Sequence, residues 1–298
     1  MRTDFTHSFI RNEPTAYPQN PPRPPPQEPV TSVLHFQYKD ISPFSRNVEP
    51  FDDYWWIDAE GQLGRDLQRL IAAIKKQPGF DFWMFAKAEE RQDERNFYLF
   101  VGWEKFPPPI FLDSQALHPD HSPLLPVVGP ALQSTAELYH VPFDRPMTRM
   151  GTSYNGLSIE LISWQIPSSL DPTFYRAYAK RFLSLEYMFS GLDEHPACVG
   201  PGDLVDCERG WTIQRTQGAY EPCDKTHIFM LFWKSKEDEL RYKDSQEPSY
   251  DEGCHGGPRS IETHPDIWKR WYLDLRNDWA SYGLSVKSVH LRFFNDDD

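Results

Sequence analysis

Ten histidines stand in the chain, and three of them sit where an imidazole could act on a ligand. His121 closes the run Leu117-His118-Pro119-Asp120-His121. Imidazole titrates near neutrality, so a positioned histidine can take and return a proton at working pH. That makes His121 a candidate general base; the plain alternative is a His-Pro pair that starts or kinks a helix. His227 alternates with Phe229, Leu231 and Trp233, which puts all four on one apolar face of a strand. That face reads as inward, so His227 is a second candidate catalytic group, able to hydrogen-bond a ligand carbonyl. A satisfied core histidine explains it equally well, since buried polar groups find partners. His35, in Val33-Leu34-His35-Phe36-Gln37-Tyr38, is a candidate substrate contact. Trp103, Phe229 and Trp233 are candidate aromatic lining for the same cavity. Strand parity decides whether each points inward, and sequence alone leaves that open.

Four cysteines, Cys198, Cys207, Cys223 and Cys254, all fall in the second half. Met1 to Asn12 has no apolar core of a secretion signal, so they read as reduced thiols. A zinc site from Cys207, Cys223, Cys254 and His255 is conceivable, but the spacing fits no usual zinc pattern. No metal is expected. No glycine-rich phosphate loop, nucleophile elbow or dinucleotide fingerprint is present, so an organic cofactor is not expected either.

The residues that must be positioned lie in a chain that repeats itself. Trp103-Glu104-Lys105, Asp113-Ser114, His118-Pro119-Asp120 and His140-Val141-Pro142-Phe143 recur in order as Trp233-Lys234-Ser235, Asp244-Ser245, His264-Pro265-Asp266 and His290-Leu291-Arg292-Phe293. The apolar runs Phe97 to Val101 and Ile228 to Phe232 precede the two tryptophans in the same way. The period is far longer than a solenoid repeat and points to two similar units packed as an internal dimer. His140 and His290 hold equivalent places, which argues for a structural role in both.

With 298 residues, each unit can bury its own core. The net charge of −13 makes nucleic acid and anionic membrane poor partners. Aromatics form 15% of the chain, enough to demand large cores or an aromatic-lined cavity. Residues 1–30 are proline-dense towards their end and predict an extended arm. The first unit follows over 31–146. It holds strands at Val33–Tyr38, Phe82–Lys87, Phe97–Trp103 and Leu138–Phe143, an aromatic, proline-containing loop after the first strand, and an amphipathic helix over Leu63–Ile74 closed by Pro78-Gly79. A second helix is expected across 114–135. The second unit, 147–298, repeats the order, with strands at Leu157–Trp164, Trp211–Arg215, His227–Trp233 and Leu284–Phe294. Its helices are expected at Phe174–Phe189 and Ile267–Tyr282. Loop insertions at about 191–208 and 246–263 set this unit apart. The order β-α-β-β-α-β, twice, is the ferredoxin-like arrangement.

With that order and these motifs, the chain resembles the dimeric α+β barrel superfamily, both halves lying in one polypeptide. Gly102-Trp103-Glu104-Lys105 is similar to the Gly-Trp-Glu-Ser run of antibiotic-biosynthesis monooxygenase-like members. His118-Pro119-Asp120-His121 and Thr226-His227-Ile228 resemble segments of stress-responsive barrel proteins, among them the plant cyclase that makes olivetolic acid. The resemblance implies that His121 is the general base and His227 a pocket histidine. Gln115 stands where that cyclase has a tyrosine, and the second unit has Ile267 where the first has His121.

The expected function is therefore that of a biosynthetic enzyme without an organic cofactor, of the cyclase or lyase type. It would act on an aromatic or polyketide-like molecule in a barrel cavity. The other readings are a cofactor-free monooxygenase, a haem-dependent enzyme resembling aldoxime dehydratases, with His255, His264 or His290 as axial ligand, and a ligand-binding stress barrel without chemistry. The expected partner is a small hydrophobic molecule. A cytoplasmic monomer, or a weak homodimer, is expected.

Overall fold

The computed structural model describes residues 29–42, 44–49, 52–57, 61–90, 94–104, 136–143, 157–165, 167, 204–216, 219–244, 248–249, 262–263 and 285–293. Its strands are β1 (Val30–Gln37), β2 (Phe44–Glu49), β3 (Asp52–Ile57), β4 (Phe80–Ala88), β5 (Asn96–Trp103), β6 (Glu137–Val141), β7 (Ser158–Gln165), β8 (Leu204–Thr216), β9 (Ala219–Trp233), β10 (Pro248–Ser249), β11 (Glu262–Thr263) and β12 (Ser285–Phe293). Its helices are α1 (Gln62–Lys75) and α2 (Lys236–Asp244). The expected helices at 114–135, 174–189 and 267–282 and the proline-rich segment up to residue 28 lie outside the described residues.

Eight strands close into an antiparallel barrel in the order β1-β5-β4-β12-β7-β9-β8-β6, with β6 returning to β1. The run β4-β5-β1-β6 comes from the first half of the sequence and β8-β9-β7-β12 from the second. Two seams join them. At one, Leu291 faces Ala88 and Phe293 faces Ala86; at the other, His140 faces Ile213.

The strands close into a barrel because both of their faces are apolar. Residues of opposite parity project to opposite sides of a strand, and here one set fills the lumen while the other supports an outer layer. Val33, Phe100, Val141, Leu161, Ile228, Met230, Phe232, Leu291 and Phe293 belong to a single buried cluster drawn from both halves. On the other side of the first-half strands, Leu34, Phe36, Phe97, Leu99 and Trp103 pack under α1. That helix presents Leu63, Leu67, Leu70, Ile71 and Ile74 to them at three- and four-residue spacing. Its C-cap is Lys76, and Gly79 takes the left-handed conformation (φ 78°) that turns the chain into β4.

Three elements differ from the expectation. The aromatic segment after β1 pairs as a hairpin, β2 with β3, in register Phe44 to Ile57. β8 begins at Leu204, within the expected insertion, because it pairs with the long β9 as far as Leu204 opposite Trp233. α2 follows β9 directly, started by Ser235, whose Oγ accepts from the Asp238 amide at 3.0 Å. No helix among the described residues is long and apolar enough to cross a membrane.

Candidate functional site

At one end of the lumen the apolar filling gives way to a cavity of about 450 Å³. Its wall combines Val33 and His35 of β1, Asn96 and Tyr98 of β5, Glu137 and Tyr139 of β6, Leu161, Ser163 and Gln165 of β7, Ile228 of β9, and Val286 to Val289 of β12. The size is that of a small-molecule site.

His35 is the most tightly framed polar group in this wall. Its Nδ1 lies 3.1 Å from Glu137 Oε2 and its Nε2 lies 3.0 Å from Asn96 Oδ1. Tyr98 stacks on the ring at 4.7 Å between centroids, tilted by 13°. The register causes this: β1 lies between β5 and β6, with His35 opposite Tyr98 on one side and opposite Glu137 on the other. Tyr139 donates its hydroxyl to the same Glu137 Oε2 at 3.0 Å. The hydrogen bond with His35 is the main reason Glu137 is held down at about 2, against partial burial; Tyr139 and the charge of Lys287 act the same way. Burial, then the neighbouring Glu137 charge, pushes the Tyr139 phenol far above its ordinary range, so it remains a donor. The imidazole thus has a fixed carboxylate behind Nδ1 and an amide at Nε2. The amide can rotate to offer oxygen to a protonated ring or N–H to a neutral one. A histidine backed by a carboxylate and facing a cavity is equipped for proton transfer.

A second polar group lies on the outer face. His290 of β12 makes a short hydrogen bond from Nδ1 to Glu90, and its Nε2 lies 2.9 Å from Glu239 Oε1. Burial opposes a charge on His290, but the bonds to Glu239 and Glu90 and the charge of Glu160 outweigh it and lift the imidazole to about 9. Lys236 Nζ approaches Glu239 Oε2 to 3.0 Å and His290 Nε2 to 2.6 Å. Glu160, Glu239 and His290 could in principle hold a metal ion, their ligand atoms lying within 4.8 Å of one another. The Lys236 ammonium already stands among them, and both His290 nitrogens face carboxylates. The set therefore reads as an ion-pair knot, and neither nitrogen is offered to an iron.

Of the sequence candidates, His35 lines the cavity. Trp103, His227, Phe229 and Trp233 do not: they sit on the outer faces of β5 and β9, the opposite parity to Phe100 and to Ile228, Met230 and Phe232 of the lumen. The inward reading of the His227 face is corrected accordingly. His227 is buried, with its ring 4.7 Å from Trp211 and 4.3 Å from Phe229. Trp103 Nε1 donates to Ser32 Oγ at 2.9 Å, and Ser32 Oγ meets His140 Nδ1 at 2.9 Å. Burial pushes His140 down to about 4, so it is neutral and accepts from the serine. His118, His121, His255 and His264 lie outside the described residues, as do Cys198 and Cys254. Glu137, Asn96, Tyr98, Tyr139 and Lys287 were not singled out in the sequence. The one available signal was His35 on a strand, and its carboxylate partner lies 102 residues away.

No protein-family model matches the chain, and no curated protein matches it. Solved structures do. A Fusobacterium nucleatum protein provisionally assigned as a monooxygenase is 9% identical, with 90% of this chain and 93% of that one covered and a TM-score of 0.45. An anthrone oxidase-like protein is 10% identical over 90% and 92%, TM-score 0.44. A variant of the chlorite dismutase of Candidatus Nitrospira defluvii is 10% identical over 81% and 94%, TM-score 0.34. These are loose superpositions, and no residue role is carried over from them.

Proposed function

We propose that this chain is a small-molecule enzyme whose chemistry is proton transfer in the barrel lumen, with His35 as the acid–base group and Glu137 as the carboxylate that orients it. The observation that carries the reading is His35 held between Glu137 and Asn96 on the wall of the cavity. The substrate class is an aromatic or polyketide-like carbonyl compound. The entering substrate displaces the Asn96 amide from His35 Nε2, which then takes a proton from the carbon next to the carbonyl, and Glu137 stabilises the imidazolium that forms. The resulting enolate leads to cyclisation or elimination. This replaces His227 by His35 as the group in the cavity. We further infer that the two four-strand runs are a tandem duplication. In its favour are their identical internal order and the matched pairs Ser32 opposite His140 and Glu160 opposite His290.

The test is deuterium exchange at the methyl group of 2′-hydroxyacetophenone in D₂O, followed by NMR. The full chain accelerates exchange, and His35→Ala lowers the acceleration by ~10²–10⁴-fold while the fold is retained. Saturable binding with no exchange would instead assign a non-catalytic ligand-binding barrel.

A further inference from the structure

The cavity is built asymmetrically from matching positions. In the first half, Glu137 of β6 stands opposite His35 of β1. In the second, Lys287 of β12 stands opposite Ser163 of β7. Glu137 precedes His140 by three residues, as Lys287 precedes His290. Both pairs line the same cavity. One wall therefore carries an imidazole and a carboxylate, and the matching place on the other carries a hydroxyl and an ammonium. The charges of Lys287 and Glu137 balance while His35 is neutral. Protonating His35 leaves one positive charge in excess, and a bound anion restores the balance.

We propose that the lumen binds an oxyanion, the enolate formed when His35 takes the ligand's proton, with Lys287 as its counter-charge. This deepens the proposed function and rests on it. In the step, the C–H bond next to the carbonyl breaks and a new N–H bond forms at His35 Nε2. The electron pair moves onto the ligand oxygen as the enolate, which faces the ammonium. Lys287 fits this task because it lines the cavity and is exposed, so its side chain can adjust to the ligand. Its field already reaches across to Glu137, whose acidity it increases. Ser163 and Gln165 add neutral hydrogen-bonding groups on the same wall. An opposite charge a few ångströms away lowers the pKa of an acid by about 1–3 units.

The probe is 4-nitrophenol, whose anion absorbs in the visible, titrated with pH while bound to the full-length chain. Bound probe is expected to ionise roughly 1–3 units below free probe. Lys287→Met abolishes that shift, and Lys287→Arg keeps most of it. Circular dichroism confirms that both variants are folded. Probe bound without a shift, or a shift indifferent to Lys287→Met, overturns the counter-charge and leaves the proton-transfer reading to the ketone exchange. No saturable binding by the unmodified chain also overturns it. A Lys287-dependent shift in a chain that exchanges no ketone protons upholds the anion site and removes the catalytic reading instead.

Discussion

At the scale of single residues, His35 and His290 are held for opposite ends. His35 lies on the wall of a cavity with a carboxylate at one nitrogen and a neutral, rotatable amide at the other, whereas His290 lies on the outer face with both nitrogens against carboxylates. The sign of its linkage follows. A histidine raised from 6.5 to about 9 contributes stability in full below its unfolded value and loses it as pH rises through 9. The contribution is on the order of 3 kcal/mol at most. Urea denaturation should show the protein weakening between pH 6.5 and 9, and His290→Gln should flatten that slope; an unchanged slope in the variant would refute the assignment. Glu137 behaves the other way. Held at about 2, it stays ionised through ordinary acid conditions, and the interaction is lost only as pH falls towards that value. Glu137→Gln should therefore keep the fold and lower ketone exchange, since a neutral amide stabilises imidazolium less well. Exchange at the unmodified rate would show that the carboxylate does not support His35.

At the scale of elements, close approach between strands sets the tolerance to substitution. A Cβ on Gly210 of β8 would lie 2.7 Å from the Pro142 carbonyl oxygen and 2.8 Å from Val141, at the β6–β8 seam. That oxygen is backbone and cannot swing away. A Cβ on Gly102 of β5 would lie 1.9 Å from the Phe82 ring, a side chain that can rotate. Gly210→Ala should cost about 1–3 kcal/mol by overpacking, and more than Gly102→Ala in urea melts; the reverse order would mean that the seam gives more readily than the ring. The same packing explains what could be read beforehand. α1 and the eight barrel strands were legible, because period 3.6 and runs of β-prone residues mark them directly. Which face of each strand turns inward was not. In Phe97-Tyr98-Leu99-Phe100-Val101 every residue is apolar, since both the lumen and the outer layer exclude water, so alternation carries no sign. The β2–β3 hairpin was hidden among prolines and aromatics. The His35–Glu137 pair depends on the β1–β6 register across a long separation, and no local pattern reports it.

At the scale of the whole molecule, the lumen is a core that neither half can close alone. Val33, Phe100 and Val141 come from one run of strands, and Leu161, Met230 and Leu291 from the other. Each four-strand run produced separately would leave this apolar face and two strand edges open to water, a template for self-association. Together they seal both edges through the β4–β12 and β6–β8 seams and bury the face. The duplication reading makes a definite statement here. Residues 1–146 and 147–298, produced as separate chains, should each aggregate or pair with themselves. Co-expressed, they should assemble one to one. The reassembled pair should also recover the cavity, because His35 and Lys287 reach it from different chains. Light scattering gives the stoichiometry, and nitrophenol binding reports whether both walls are present. A first half that remains monomeric and well folded by itself would show that the lumen does not need its second wall, and the paired origin of the cavity would fall with it.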